Sequence, residues 1–321
     1  MPVKVIENLP AIDELRADNI FVMDSERAKK QNIRPLNLLV VNLMPRKSVT
    51  ETQILRLLSN TPLQINVDFL YTATHDFKNT KQSHLDSFYK SFSEVKSQFY
   101  DGLIVTGAPV EQLEFEEVDY WEEFLEIVEW SKSHVYSTLH ICWGAQAGLY
   151  ARYGVKKTKL PQKLCGIYKS SVENPKNPLF RGFDDYFFYP QSRYTQSDEA
   201  EISKISDLEV LSKSEESGFS ILSKKNLREV YLFGHLEYDR ETLAWEYLRD
   251  KKQGLNPEIP KNYFPEDDDS KKPEMNWASA ASLFFSNWLN YAVYQGTPYI
   301  SERLSHHLNE EDYDFNQSEQ Q

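Results

Sequence analysis

Four times between residues 36 and 153, a short apolar run is followed by a segment whose apolar residues recur at three- and four-residue steps. Residues 36–44 (LNLLVVNLM) have the β-branched, apolar character of a buried parallel strand, residues 64–72 (QINVDFLYT) show strand-like alternation, and 102–106 (GLIVT) and 135–141 read as further strands. Residues 50–59, 84–96, 112–133 and 144–153 each carry one apolar stripe, which reads as a helix. Strand then helix, repeated with short breaks such as Gly107-Ala108-Pro109, constrains the chain to an α/β fold. Its sheet is mostly parallel, doubly wound and covered on both faces. In such sheets ligands sit at the carboxyl ends of the strands, so the segments that follow those ends are where chemistry is expected.

Beyond residue 153 the pattern is less regular. Residues 209–214, 219–224 and 229–238 read as additional strands, an antiparallel extension of the sheet. Residues 250–273, rich in Pro, Asp and Lys, read as a long loop. Residues 277–294 place Trp277, Ala281, Phe284, Trp288 and Tyr291 on one face of a C-terminal helix, and residues 309–321 form an acidic, polar tail. The division expected is an N-terminal extension over 1–34 packing on the core, an α/β domain over 35–296 and a tail over 297–321.

Several function classes are disfavoured. A net charge of −13 argues against general nucleic-acid binding, which needs a basic surface. A small anionic ligand needs only one local cluster, and Lys29-Lys30 and Arg46-Lys47 are the candidates. No run of 18 apolar residues suits a bilayer, and the opening residues lack the pattern of a secretory signal. The two cysteines, Cys142 and Cys165, form no CxxC, and a reducing cytoplasm fits them. His75, His84 and His134 show no metal-ligand spacing, and His306-His307 lie near the polar tail. No metal and no cofactor is expected.

The segment Leu139-His140-Ile141-Cys142-Trp143-Gly144 ends a strand and begins a helix. A cysteine on that turn is exposed at the top of the sheet, close to free backbone N–H groups, and a helix N-terminus favours a thiolate. His140 stands where a GxCxG elbow has glycine. A buried, inert cysteine closing a strand accounts for the same residues. In Gly234-His235-Leu236-Glu237, read as strand, His235 and Glu237 point the same way. A carboxylate beside an imidazole fixes its tautomer and supports its cation. Cys142, His235 and Glu237 would then make a triad; a charge pair on a partly exposed strand face is the structural alternative.

Long blocks of the chain resemble the homoserine O-acyltransferases of methionine biosynthesis. They include Val41-Asn42-Leu43-Met44-Pro45, Thr106-Gly107-Ala108-Pro109-Val110-Glu111, His140-Ile141-Cys142-Trp143-Gly144-Ala145-Gln146-Ala147 and Gly234-His235-Leu236-Glu237-Tyr238. His140 belongs to that family's own pattern. The resemblance implies a class I glutamine amidotransferase-like, flavodoxin-like three-layer fold. It implies a ping-pong reaction in which Cys142 takes an acyl group from acyl-CoA and passes it to the hydroxyl of L-homoserine. His235 is then the base and Glu237 its orienting carboxylate. Trp143 and Lys47 are the implied oxyanion donors, Lys163, Ser192 and Arg249 the implied substrate-binding residues, and a homodimer the implied assembly. Glu111 goes with acetyl-CoA in that family, where glycine goes with succinyl-CoA. A glutamate there fills space and repels the distal carboxylate of a succinyl group. The expected activity is homoserine O-acetyltransferase; succinyl transfer and an amidotransferase-like hydrolase are the alternatives. One departure is visible: the family commonly reads His-Ser-Arg-His-Thr where this chain reads Gln191-Ser192-Arg193-Tyr194-Thr195.

Overall fold

The computed structural model describes residues 3–4, 8–18, 34–74 and 82–297. His75, Lys29-Lys30, His306-His307 and residues 309–321 lie outside the described residues.

The parallel half of the sheet is built from β1 (Val3–Lys4), β2 (Leu36–Val41), β3 (Ile65–Leu70), β4 (Tyr89–Lys90), β5 (Tyr100–Val105), β6 (Val135–Ile141) and β11 (Glu229–Leu232). The antiparallel half adds β7 (Lys157–Val172), β8 (Tyr186–Ser197), β9 (Leu208–Ser214) and β10 (Gly218–Lys224). Strand order is β1-β3-β2-β5-β6-β11-β10-β9-β7-β8, with β4 paired to β3. The α/β, mostly parallel architecture is therefore the one expected, and β11 is where the parallel and antiparallel halves join.

Alternation along each strand divides the core. Leu38, Val40, Ile104, Leu139 and Ile141 pack with α1 (Ala11–Ala17), α2 (Lys47–Leu58) and α6 (Ala278–Asn287). Leu39, Val41, Leu103 and Val105 pack on the opposite face with α3 (Trp121–His134) and the start of α4 (Trp143–Tyr153). Each large apolar side chain so buried stabilises the fold by about 1.5–3 kcal/mol relative to exposure. Leu9, Ala11 and Leu15 join the first of these cores, so the described part of the N-terminal segment is packed. No helix among the described residues is long and apolar enough to cross a membrane.

Several sequence expectations change. The helix expected over 84–96 is two short ones, Gln82–Phe88 and Phe92–Val95, because Tyr89–Lys90 pairs with β3 and Ser91 opens a new helix through a capping box with Glu94. The helix expected over 112–133 starts at Trp121. Ahead of it, Phe115–Glu117 forms one 3-10 turn closed by Glu114 and Glu117, and Val118 is extended. Residues 250–273 are not all loop, since α5 (Thr242–Lys252) runs into them. The helix expected over 277–294 changes to π geometry from Trp288 to Tyr294. The strand expected over 229–238 stops at Leu232. The long hairpin β7–β8 has no counterpart in the sequence expectations.

Candidate active site

Cys142 ends the ladder of β6. Its N–H donates to the carbonyl of Leu232 at 2.7 Å, and its own carbonyl accepts from Ala145 and Gln146 at 3.0 and 3.1 Å. Between those roles the chain turns from strand to helix within one residue, with Cys142 at φ 51° and ψ −114°. A left-handed conformation at a non-glycine residue costs about 1–3 kcal/mol and persists where the surroundings enforce it. They do here. Gln146 Nε2 donates to the Thr195 carbonyl at 3.0 Å, and Thr195 Oγ1 donates back to Gln146 Oε1 at 2.8 Å, clamping α4 to β8. A Cβ on Gly144 would stand 2.7 Å from the Thr106 carbonyl oxygen, so glycine lets α4 approach the end of β5.

His235 lies three residues past the end of β11 and is buried. Its N–H donates to the Pro190 carbonyl at 2.9 Å, and its ring stacks on Tyr238 with centroids 4.0 Å apart. Nδ1 is 2.6 Å from Glu237 Oε1. The expected pair is real, but a turn makes it; His235 and Glu237 are not strand neighbours. Gly107 locates the other side of the ring. A Cβ there would meet Cys142 Cβ at 3.3 Å and His235 Cε1 at 3.4 Å, so cysteine and imidazole share one small space. Burial alone would lower the imidazole. The charges of Cys142 and Glu237, with hydrogen bonds to both, outweigh it and hold His235 well above its ordinary range. Burial pushes the thiol of the other cysteine, Cys165, up to about 12, so it stays protonated and unreactive.

A second cluster lies alongside. Glu246 on α5 accepts from Ser192 Oγ, and from Tyr238 OH at 2.7 Å. Lys163 Nζ lies 3.5 Å from Glu246 and 3.1 Å from Asp250. Arg249 holds Asp250 with two nitrogens, at 2.8 and 2.7 Å. Lys163, Ser192 and Arg249 are thus brought to one place, through two carboxylates the sequence reading passed over. The available signal was helical spacing: Glu246 lies three residues before Arg249 and four before Asp250. Glu111, half-buried in the segment after β5, lies within electrostatic reach of Lys163, Glu246 and His235. Burial raises its carboxyl and the charge of Glu246 adds to that, while Lys163 and His235 oppose it.

The two oxyanion candidates point their side chains elsewhere. The Trp143 indole is fully buried among Phe115, Tyr120, Trp121 and Phe124. Only its backbone N–H, in the first turn of α4, can face a ligand. Lys47 is buried at the start of α2, and Nζ donates to the carbonyls of Asn42 at 2.5 Å and Met44 at 3.4 Å. Burial lowers its ammonium to about 7, with Glu51 opposing. Arg46 lies over the Trp245 ring. Lys47 is therefore committed to the fold, while Arg46 stays exposed, so the two do not form one open cluster. His140 is stacked on Tyr231, and burial lowers it to about 4, so it stays neutral beneath the turn. No group of three or more His, Cys, Asp or Glu among the described residues is placed to hold a metal.

Comparison with known proteins adds the lineage. Residues 2–299 match the homoserine O-succinyltransferase family. A homoserine O-acetyltransferase of Lactococcus lactis subsp. cremoris is 82% identical over 99% of this chain and 100% of its own. One of Streptococcus thermophilus is 59% identical over 98% of this chain and 99% of its own. Among solved structures, a glutamine amidotransferase of Thermotoga maritima superposes with a TM-score of 0.54 at 15% identity, over 81% of this chain and 98% of that one. That likeness concerns the fold.

Proposed function

The chain belongs to the homoserine O-succinyltransferase family, and from that membership we propose that it is a homoserine O-acetyltransferase working through an acetyl-Cys142 thioester. The observation that carries the reading is the shared space of Cys142 and His235 behind Gly107, with Glu237 on the far side of the imidazole.

In the first half-reaction the Cys142 thiolate attacks the carbonyl carbon of acetyl-CoA. The N–H of Trp143 receives the developing oxyanion, and the N–H groups opening α2 at Lys47 supply the second donor. The intermediate collapses by breaking the carbon–sulfur bond to CoA, whose sulfur takes a proton from His235. In the second half, His235 accepts the proton of the homoserine hydroxyl as its oxygen attacks the thioester. Breaking the bond to Cys142 releases O-acetylhomoserine and restores the thiolate. Glu237 keeps Nδ1 protonated and supports the cation, so the other ring nitrogen handles the transferred proton.

Homoserine brings one carboxylate and one ammonium. Arg249 is the fork for the carboxylate, assisted by Lys163. Glu246, held by Ser192 and Tyr238, is the counter-charge for the ammonium. Glu111 restricts the acyl group, because a second carboxylate beside Glu246 would be repelled in a desolvated site.

The family's name favours a second reading in which succinyl-CoA is the donor. Supplying homoserine with each donor in turn separates the two. A higher kcat/KM with acetyl-CoA is expected, and a preference for succinyl-CoA refutes the acetyl reading. Glutamine hydrolysis without acyl transfer would instead point to an amidotransferase-like hydrolase.

A further inference from the structure

The two half-reactions share one proton-transfer position. The sulfur of departing CoA takes a proton from His235, and the homoserine oxygen later gives one back. Both atoms therefore occupy the same spot beside His235, facing the same acyl carbon. Carrier and acceptor then use one approach in alternation, and the cluster of Lys163, Ser192 and Glu246 adjoins it through Tyr238, which stacks on His235 and donates to Glu246.

Directly beyond Lys163 lies a cavity of about 460 Å³. Lys163, Cys165 and Asp250 belong both to its lining and to the surroundings of the acceptor cluster. One wall is a bulge in β7: Lys159 pairs with Thr195 and Leu164 with Arg193, so residues 160–163 are looped out opposite Tyr194. Bulges of this kind re-aim strands beside active sites. Facing it are the end of α5 and residues 255–261, tied to β7 through the Lys261 carbonyl and the Ile167 N–H at 2.8 Å. Tyr168, Tyr194 and Tyr247 supply aromatic faces, and Leu255 and Ile259 line the cavity while 59% and 40% exposed. Its two carboxylates are already engaged, Asp250 by Lys163 and Arg249 and Glu258 by Gln162 at 3.3 Å. This volume and apolar area exceed what a four-carbon amino acid can use and suit a larger, partly aromatic ligand.

The charge pattern agrees. The chain carries −13 overall, yet residues 155–172 contain Lys156, Lys157, Lys159, Lys163 and Lys169 and no carboxylate. Lys156 and Lys159 are exposed next to the cavity lining, and Lys261, which lines it, is exposed and pairs with Glu216 at the surface. The lining itself balances Lys163 and Lys261 against Asp250 and Glu258, and the lysines of β7 beside it add positive charge that draws an anion toward the cleft.

We propose that this cavity is the carrier subsite, receiving the pantetheine arm against its apolar lining and the phosphorylated adenosine between its tyrosines and the lysines of β7 and Lys261. The proposal rests on the reading that the donor is an acyl-CoA.

The double variant Lys159→Gln, Lys261→Gln tests it, since both side chains are exposed and neither belongs to the acceptor cluster. Kinetics are measured with acetyl-CoA and with S-acetylpantetheine, which has the arm and lacks the nucleotide. CoA binding is measured by calorimetry. The variant is expected to raise KM for acetyl-CoA and weaken CoA binding by about tenfold, leaving kcat and all S-acetylpantetheine parameters unchanged. Unchanged CoA affinity, or equal losses with both donors, overturns the assignment. If the wild-type protein transfers acetyl from neither donor, the functional reading fails, and calorimetry still decides the cavity by itself.

Discussion

His235 Nδ1 stands 2.6 Å from Glu237 Oε1 inside a closed turn, and that contact sets which nitrogen of the imidazole faces Cys142. Glu237→Gln keeps the shape and removes the charge, allowing the wrong tautomer and leaving the imidazolium unsupported. kcat is expected to fall by about 10²–10⁴-fold with little change in melting temperature. A variant with wild-type kcat would remove Glu237 from the mechanism.

Much of this site was legible because its chemistry sits where strands end. The alternating pattern of residues 36–153 located β2, β3, β5 and β6, and with them Cys142, whereas Glu111 entered by resemblance. The β7–β8 hairpin was not legible. Pro161 and Pro190 interrupt it, its lysines break alternation, and residues 160–163 bulge out of register. Ser192 and Lys163 therefore entered only by resemblance. His235 and Glu237 were paired for the wrong local reason: period-two spacing in a strand and a tight turn bring the same two residues together. Glu246 was hidden in an ordinary helix face, where a carboxylate reads as solvated until tertiary structure brings Ser192, Tyr238 and Lys163 to it. Tyr194, which departs from the family pattern, faces the bulge and carries Lys163 Nζ 5.4 Å from its ring centre.

Acyl choice should respond to Glu111. In Glu111→Gly the half-buried carboxyl is gone, and the ratio of kcat/KM for succinyl-CoA over acetyl-CoA is expected to rise by about tenfold or more. An unchanged ratio measured with both donors would place selection elsewhere.

Acceptor recognition should respond to Glu246. Ser192 and Tyr238 donate to different oxygens of Glu246; Glu246→Gln keeps an oxygen for one of them, turns an amide NH2 toward the other hydroxyl, and loses the charge facing the ammonium. KM for homoserine is expected to rise by about ten- to a hundredfold, while formation of the acyl-enzyme from acetyl-CoA proceeds at its wild-type rate. Equal damage to both half-reactions would make Glu246 a structural support.

Lys47 gives the fold a pH signature. Its ammonium is lowered to about 7 by burial, against an ordinary value of 10.5. Between those values the unfolded chain binds the extra proton, so native stability gains as pH rises through about 7; below it both states are protonated and the gain is absent. Urea unfolding of wild type and Lys47→Met at about pH 6 and about pH 9 is the check. The stability difference should shift toward wild type by about 2–3 kcal/mol at the higher pH. A difference independent of pH would mean that the ammonium titrates normally.

The most direct test of the central claim is intact-protein and peptide mass spectrometry after exposure to acetyl-CoA with no homoserine present. One acetyl group on the peptide containing Cys142 is expected, absent from Cys142→Ala and discharged when homoserine is added. Acetyl transfer to homoserine by a protein that never carries that adduct would contradict the account.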